Sequence, residues 1–209
     1  MKKIIGIVVL VLLAATMYAQ NIEFGVGGSA GLMLDFNTMS IDDIDTSISI
    51  NHTMLFFGVC LDATFVRLGI DYALNVAQSG KLEYGSTEID AEFEDGYSIS
   101  FLSISLLGKY PIDLGGVIIW PAAGIRYALC LAYDIDGDGE DDLTDDDALN
   151  DLFALIGVGA DITAGPVVVS PSLIFGYNLT SNPTTEDLPD DVSILNFNIQ
   201  FGVSVIYKL

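Results

Sequence analysis

The densest run of chemistry-bearing residues is Asp134-Ile135-Asp136-Gly137-Asp138-Gly139-Glu140-Asp141-Asp142, followed by Asp145. Counted from Asp134, carboxylates stand at positions 1, 3 and 5 with glycine at position 6, which sets hard oxygen ligands around a sharp turn, as Ca²⁺ prefers. The candidate ligands are Asp134, Asp136, Asp138 and Asp142. The run departs from a helix-flanked calcium loop: Asp141 stands at position 8, where an aliphatic residue is usual, and Asp145 at position 12, where a bidentate glutamate is usual. The competing reading is a solvated acidic stretch. Ten carboxylates in residues 134–151 gather divalent counter-ions whether or not any is coordinated.

A second group is spread along the chain: Glu23, Asp62, Arg67, Asp71, Arg126 and Asp161. Each lies in an apolar, alternating segment, and the alternation puts each on the face opposite the greasy one. Inside a closed barrel such charges form either a selectivity constriction or a packed ion-pair network. An eight-stranded barrel has an interior just filled by side chains, which favours the network. Cys60 and Cys130 share that inner face on non-adjacent strands, too far apart for the roughly 7 Å limit on a disulfide, so two unbridged thiols are expected. His52 is the single histidine, with only Thr53 and nearby acids beside it. No nucleophile–base–orienter set can be assembled, and no enzyme is expected.

These residues must be positioned by a chain of 209 residues that is 51% hydrophobic yet has 29 acidic against 7 basic side chains, a net charge of −22. That charge repels nucleic acid, and the apolar content excludes disorder. Lys2 and Lys3, the apolar run 4–15 and a polar exit ending at Ala19 read as a cleaved secretory signal over residues 1–19. No cysteine follows it, so no lipoprotein anchor is expected. Beyond Gln20 the longest apolar candidate, 117–133, is broken by Pro121 and Arg126. Transmembrane helices are therefore excluded, and alternation becomes the question.

The last segment answers it. Phe197, Ile199, Phe201, Val203, Val205, Tyr207 and Leu209 alternate with a mainly small or polar row. Residues 22–35 repeat the pattern, and 53–65, 67–77, 97–110, 117–133, 152–164 and 167–180 complete eight segments. The fourth slips at Phe101 and Leu102, where either a bulge or a mis-set phase is expected. Runs of this length suit tilted strands crossing a bilayer better than soluble strands of about five to six residues. Links after the second, fourth and sixth segments are tight, whereas 36–52, 78–96, 134–151 and 181–192 are long, the asymmetry of a transmembrane barrel. Those long stretches hold 23 of the 29 acids, with Lys81 as their single basic residue. Aromatics gather near segment ends, Phe24, Phe65, Tyr110, Trp120 and Tyr207 at one rim and Phe36, Tyr97, Tyr133, Tyr177 and Phe197 at the other, as interfacial girdles do. Residues 20–209 are thus expected to form one all-β, eight-stranded, antiparallel up-and-down barrel. A soluble lipocalin-like binder would instead turn the greasy rows inward.

Three stretches carry a family resemblance. Residues 200–207, Gln-Phe-Gly-Val-Ser-Val-Ile-Tyr, are similar to the terminal signal read by the barrel assembly machinery, although the chain ends at Leu209 instead of the commoner phenylalanine. Residues 101–110 resemble the family's central strand, with Ser105 where proline is usual, and residues 120–127 resemble its aromatic-Pro-x-x-Gly-x-x-Tyr strand. The chain resembles the small outer-membrane β-barrels of diderm bacteria, the OmpA/OmpX/OmpW-like group. The resemblance implies residence in outer-membrane lipid and insertion through the last strand by the assembly machinery. Its members include adhesins, complement-evasion proteins and proposed hydrophobic-solute conduits, so it does not choose a function. Because the acidic idiosyncrasy lies in the connections, the expected role is surface contact with a host or environmental ligand, assisted by Ca²⁺. The alternative is a narrow, porin-like channel for small or hydrophobic solutes.

Overall fold

In the computed structural model, residues 22–41, 46–91, 98–134, 150–180 and 192–209 are described. The expected leader lies outside them. Alternating apolar and small residues give the strands β1 (Phe24–Ile41), β2 (Thr46–Ala63), β3 (Val66–Tyr84), β4 (Thr87–Ala91), β5 (Ser98–Lys109), β6 (Ile112–Asp113), β7 (Val117–Asp134), β8 (Asn150–Ala164), β9 (Val167–Asn178) and β10 (Val192–Lys208). Strand β4 folds back on β3 and the two-residue β6 lies on β7. The other eight form the wall.

Each wall strand pairs antiparallel with its sequence neighbour, and β10 returns to β1 from Gly25↔Lys208 to Ile41↔Val192. This closure removes the edge that an open sheet would expose to lipid. Strands β2 and β3 are joined through Thr64 and Phe65, and β8 and β9 through Gly165 and Pro166. Gly165 at φ +64° and Gly116 at φ +121° occupy conformations that a Cβ would disfavour. These short turns, the start of β1 and the end of β10 share one mouth, the periplasmic end of a transmembrane barrel.

Along β10, Phe201, Val203, Val205 and Tyr207 are exposed on the outside while Asn198, Ser204 and Ile206 are buried inside. Leu55, Phe57, Val59 and Leu61 on β2 repeat the outward row. The greasy rows therefore face lipid, not one another. The slip at Phe101 is a bulge: the β5–β7 register shifts between Ser100 and Phe101, with Leu131 the extra residue on β7. Phe101 thereby turns inward and packs against both larger apolar clusters of the lumen.

Most of the stretches 36–52 and 78–96 is strand and not irregular connection. Strand β1 runs on to Ile41, β2 starts at Thr46, β3 reaches Tyr84 and β4 follows, so a palisade of β10, β1, β2, β3 and β4 stands above the rim where β5 and β9 end. Above the Thr53/Met54 register shift the alternation continues with inverted polarity. The outer face now carries Thr38 bonded to Ser49 at 3.2 Å, Ser47 bonded to Glu83 at 3.3 Å, and Lys81 2.7 Å from Glu88, whose hydrogen bond holds the Lys81 ammonium above its usual range. The inner face carries the cross-strand row Ile194, Met39, Ile48, Leu82 and Ile89. A wall that leaves hydrocarbon for water has no reason to keep apolar residues outside. The aromatic stacks Phe36–Phe197 at 4.9 Å and Phe175–Phe197 at 5.6 Å lie just below this change and belong to the outer girdle.

Candidate functional site

The lumen holds two polar layers. In the periplasmic layer, Asp62 of β2 accepts from Arg67 Nε at 2.5 Å and from Lys109 Nζ at 2.7 and 2.8 Å. Arg67 Nη2 donates to Ser170 Oγ at 2.9 Å, and Ser170 donates onward to Asp161 Oδ1 at 2.6 Å. Trp120 Nε1 donates to the same oxygen at 2.8 Å. The Arg67 guanidinium lies 4.9 Å and the Lys109 ammonium 5.5 Å from the Trp120 ring centroid, a cation–π arrangement for both. Two carboxylates and two cations balance, and six wall strands, β2, β3, β5, β7, β8 and β9, are tied across the interior. Removed from water, such charges are stable only with this degree of mutual satisfaction.

The second layer lies nearer the outer mouth. Arg126 donates to Gln200 Oε1 at 2.9 Å and Asn198 Oδ1 at 2.7 Å, and its guanidinium lies 4.7 Å from the Phe153 ring centroid. Ser29 donates to Asp71 at 2.6 Å, Asn37 to Asp35 at 2.8 Å, and Asn178 to Asp151 at 2.7 Å. Arg126, with no acidic hydrogen-bond partner among the described residues, is held by amide oxygens and an aromatic face, while the carboxylates are held by hydroxyl and amide donors.

Of the six expected lumen charges, Asp62, Arg67 and Asp161 meet in the first layer, and Arg126 and Asp71 stand in the second. Glu23 stands at the periplasmic entrance, exposed and paired with Lys208 at 2.5 Å. It lines the vestibule together with Asp62, Lys109 and Asp161, and its backbone accepts from Thr64 N at 3.2 Å, so the inward parity holds there although the side chain lies outside the buried layer. Trp120 is corrected: it is 1% exposed and points inward, instead of joining the rim girdle. Its even spacing from inward-facing Arg126 is the sequence signal that places it there. Lys109 is a further lumen residue absent from the expected set, two positions from inward-facing Leu107 but obscured by the phase slip earlier in the strand. Cys60 and Cys130 are unbridged, and Cys60 is buried beside Val168 and Ile206. His52 is buried at the outer end of the lumen, opposite Asp35.

For the proposed calcium ligands, Asp136, Asp138 and Asp142 lie outside the described residues, and only the backbone of Asp134, the last residue of β7, is described. Among the described residues no three metal-ligating side chains converge.

A cavity of about 250 Å³ opens at the periplasmic mouth, lined by Asp62, Lys109, Asp161 and Lys208 among others. Beyond it is a void of about 50 Å³ lined by Arg67, Asp71 and Gln200, and another of about 20 Å³ beside Asp35 and Arg126. The four charges of the first layer are the partition between vestibule and inner lumen. The inner voids have room for isolated waters and little more.

A closed eight-strand ring with lipid-facing apolar rows, short turns at one mouth and a side-chain-filled lumen has counterparts among solved structures. Neisserial surface protein A has a similar structure at TM-score 0.51 and 13% identity, over 91% of this chain and 100% of that one. The fold is that of a small outer-membrane β-barrel. The outer-membrane protease OmpT of Escherichia coli is also similar, at TM-score 0.48 and 8% identity over 90% of this chain and 97% of that one. The Ail attachment invasion locus protein of Yersinia pestis matches at TM-score 0.36 and 13% identity, over 90% and 99%. No protein-family model and no curated protein sequence matches the chain. The outward rows and this fold together place the outer-membrane barrel in the bacterial outer membrane.

Proposed function

We propose that this outer-membrane barrel is a non-catalytic surface-contact protein, in which the wall and its lumen are scaffold and the extracellular segments meet host or environmental ligands. The observation that carries this reading is the partition made by Asp62, Arg67, Lys109, Asp161 and Trp120, because a lumen cross-tied at this layer has its polar groups committed to one another. The distribution of charge supports it as well. The four stretches 36–52, 78–96, 134–151 and 181–192 hold 23 acids and one base, a charge of −22, while the rest of residues 20–209 holds six acids and four bases. Such a field steers cations and cationic partners to one end of the molecule. Insertion would use β10 as the strand presented to the barrel assembly machinery.

Calcium enters this reading through the spacing of Asp134, Asp136, Asp138 and Asp142, which would brace the segment after β7. Calorimetry of Ca²⁺ binding with Asp136→Asn and Asp138→Asn tests it, and unchanged affinity refutes it. The main reading is tested by cells displaying a barrel with the four stretches shortened. Loss of surface binding is expected, and full retention would end the proposal. The second reading, a narrow channel, draws on the periplasmic vestibule. Discrete single-channel steps in a planar bilayer, abolished by changing Arg126 or Asp62, would favour it.

A further inference from the structure

We propose that the periplasmic vestibule is a binding site for a small, neutral, hydroxylated molecule, a polyol of monosaccharide size. The site stands at the mouth opposite the extracellular segments, so it is independent of the surface-contact reading. Its volume of about 250 Å³ is just under the roughly 300 Å³ at which small-molecule pockets begin. Apolar Pro111, Ile118, Val168 and Ile206 form its sides, with charged groups at floor and rim. Such a lining covers a ligand's carbon skeleton and fixes its polar groups.

The floor is where the partition leaves hydrogen-bonding capacity unspent. Asp161 Oδ1 accepts from Trp120 at 2.8 Å and from Ser170 at 2.6 Å, whereas Oδ2 accepts no hydrogen bond among the described residues and is not sealed from solvent. Lys109 Nζ stands 4.0 Å from Oδ2, too far for a bond. The ammonium has three N–H groups, and the two Asp62 oxygens engage two of them. An acceptor and a donor thus face one incoming group. A single hydroxyl suits both because it donates and accepts at once, and bonds of about 2.8 Å on either side of its oxygen close the gap.

The rim repeats the arrangement. Glu23 Oε2 and Lys208 Nζ, 2.5 Å apart, set a second acceptor beside a second donor, and the exposed Thr163 lines the wall two residues nearer the mouth than Asp161. Charge decides against other ligands. Glu23, Asp62 and Asp161 face Arg67, Lys109 and Lys208, three of each sign, so the site has no net charge with which to draw an ion. A charged ligand has to shed its hydration and compete with an existing pair, and a hydroxyl does neither.

The test uses the full barrel folded in phosphocholine-detergent micelles and reads the emission of Trp120, whose indole bonds to the other oxygen of the Asp161 carboxylate. Glucose is expected to shift this emission saturably, with a dissociation constant on the order of 1 mM. Gluconate, ethanolamine and alanine, an anion, a cation and a zwitterion, should bind at least about tenfold more weakly at matched ionic strength. Raffinose, a trisaccharide too large for the cavity, should cause no shift. Glu23→Ala with Lys208→Ala should weaken glucose binding about tenfold, and Thr163→Val about threefold, while the heat-modifiable gel migration of the folded barrel persists. The absence of a saturable shift with glucose overturns the proposal. So does equal binding of a charged analogue, an equal shift with raffinose, or unchanged glucose affinity in either folded variant.

Discussion

Lys109 Nζ lies 2.7 and 2.8 Å from the two carboxylate oxygens of Asp62, reaching past β3 to a residue two strands away around the wall. The Lys109 side chain is buried and that of Asp62 only 12% exposed, so the buried ammonium depends on this carboxylate. Lys109→Met leaves Asp62 with Arg67 as its remaining cation and is expected to cost about 1–3 kcal/mol. Urea titration in lipid vesicles, followed by the folded and unfolded gel bands, measures it. Adding Asp62→Asn should recover part of the loss, and strict additivity of the two changes would show that the pair is not coupled.

Trp120 is the single tryptophan of the chain and is 1% exposed, so its fluorescence reports on the lumen alone. Its emission should resist quenching by iodide and by lipids brominated at any depth. A girdle tryptophan would be quenched by lipid labels near the interface. Trp120→Phe removes the 2.8 Å hydrogen bond to Asp161 and should destabilise the barrel by about 1–3 kcal/mol.

Two glycines on opposite faces make a matched pair. A Cβ at Gly159 would run into the Trp120 ring, which two cations and the Asp161 bond hold in place. At Gly28 it would meet only the Gly58 carbonyl oxygen at an ordinary 3.7 Å. Gly159→Ala should therefore cost about 1–3 kcal/mol and Gly28→Ala almost nothing, as read by the same urea titration. Equal effects would mean that the Trp120 side chain yields.

The unbridged Cys60 and Cys130 predict identical gel mobility with and without reductant, and two maleimide adducts per chain after denaturation. The absence of any adduct without reductant, or a mobility change on reduction, would require these two strands to approach one another and would contradict the observed strand order.

Much of the wall is legible along the chain because alternation is a local property. Phe201, Val203 and Val205 face lipid wherever β10 sits in the ring. Reading for outward apolar residues stops at the membrane boundary, however, and Ile48, Ile50 and Leu82 then look like loop residues although the ladder continues. The same local reading holds for Arg126 and misses Trp120 at the same parity, since an aromatic near a strand end resembles a girdle residue until its hydrogen-bond partner is known.

The chain by itself determined the eight crossings, the lipid-facing rows, the mouth with short turns and the end that carries the charge. Each follows from period two and from solvent preference within one segment. Tertiary structure alone decided which inner groups meet: Arg67 with Ser170, 103 positions apart, Arg126 with Gln200, 74 apart, and Lys109 with Asp62. The reason is physical. Closure and stagger of the ring set the height and azimuth of each inward side chain, and those are properties of all eight strands together.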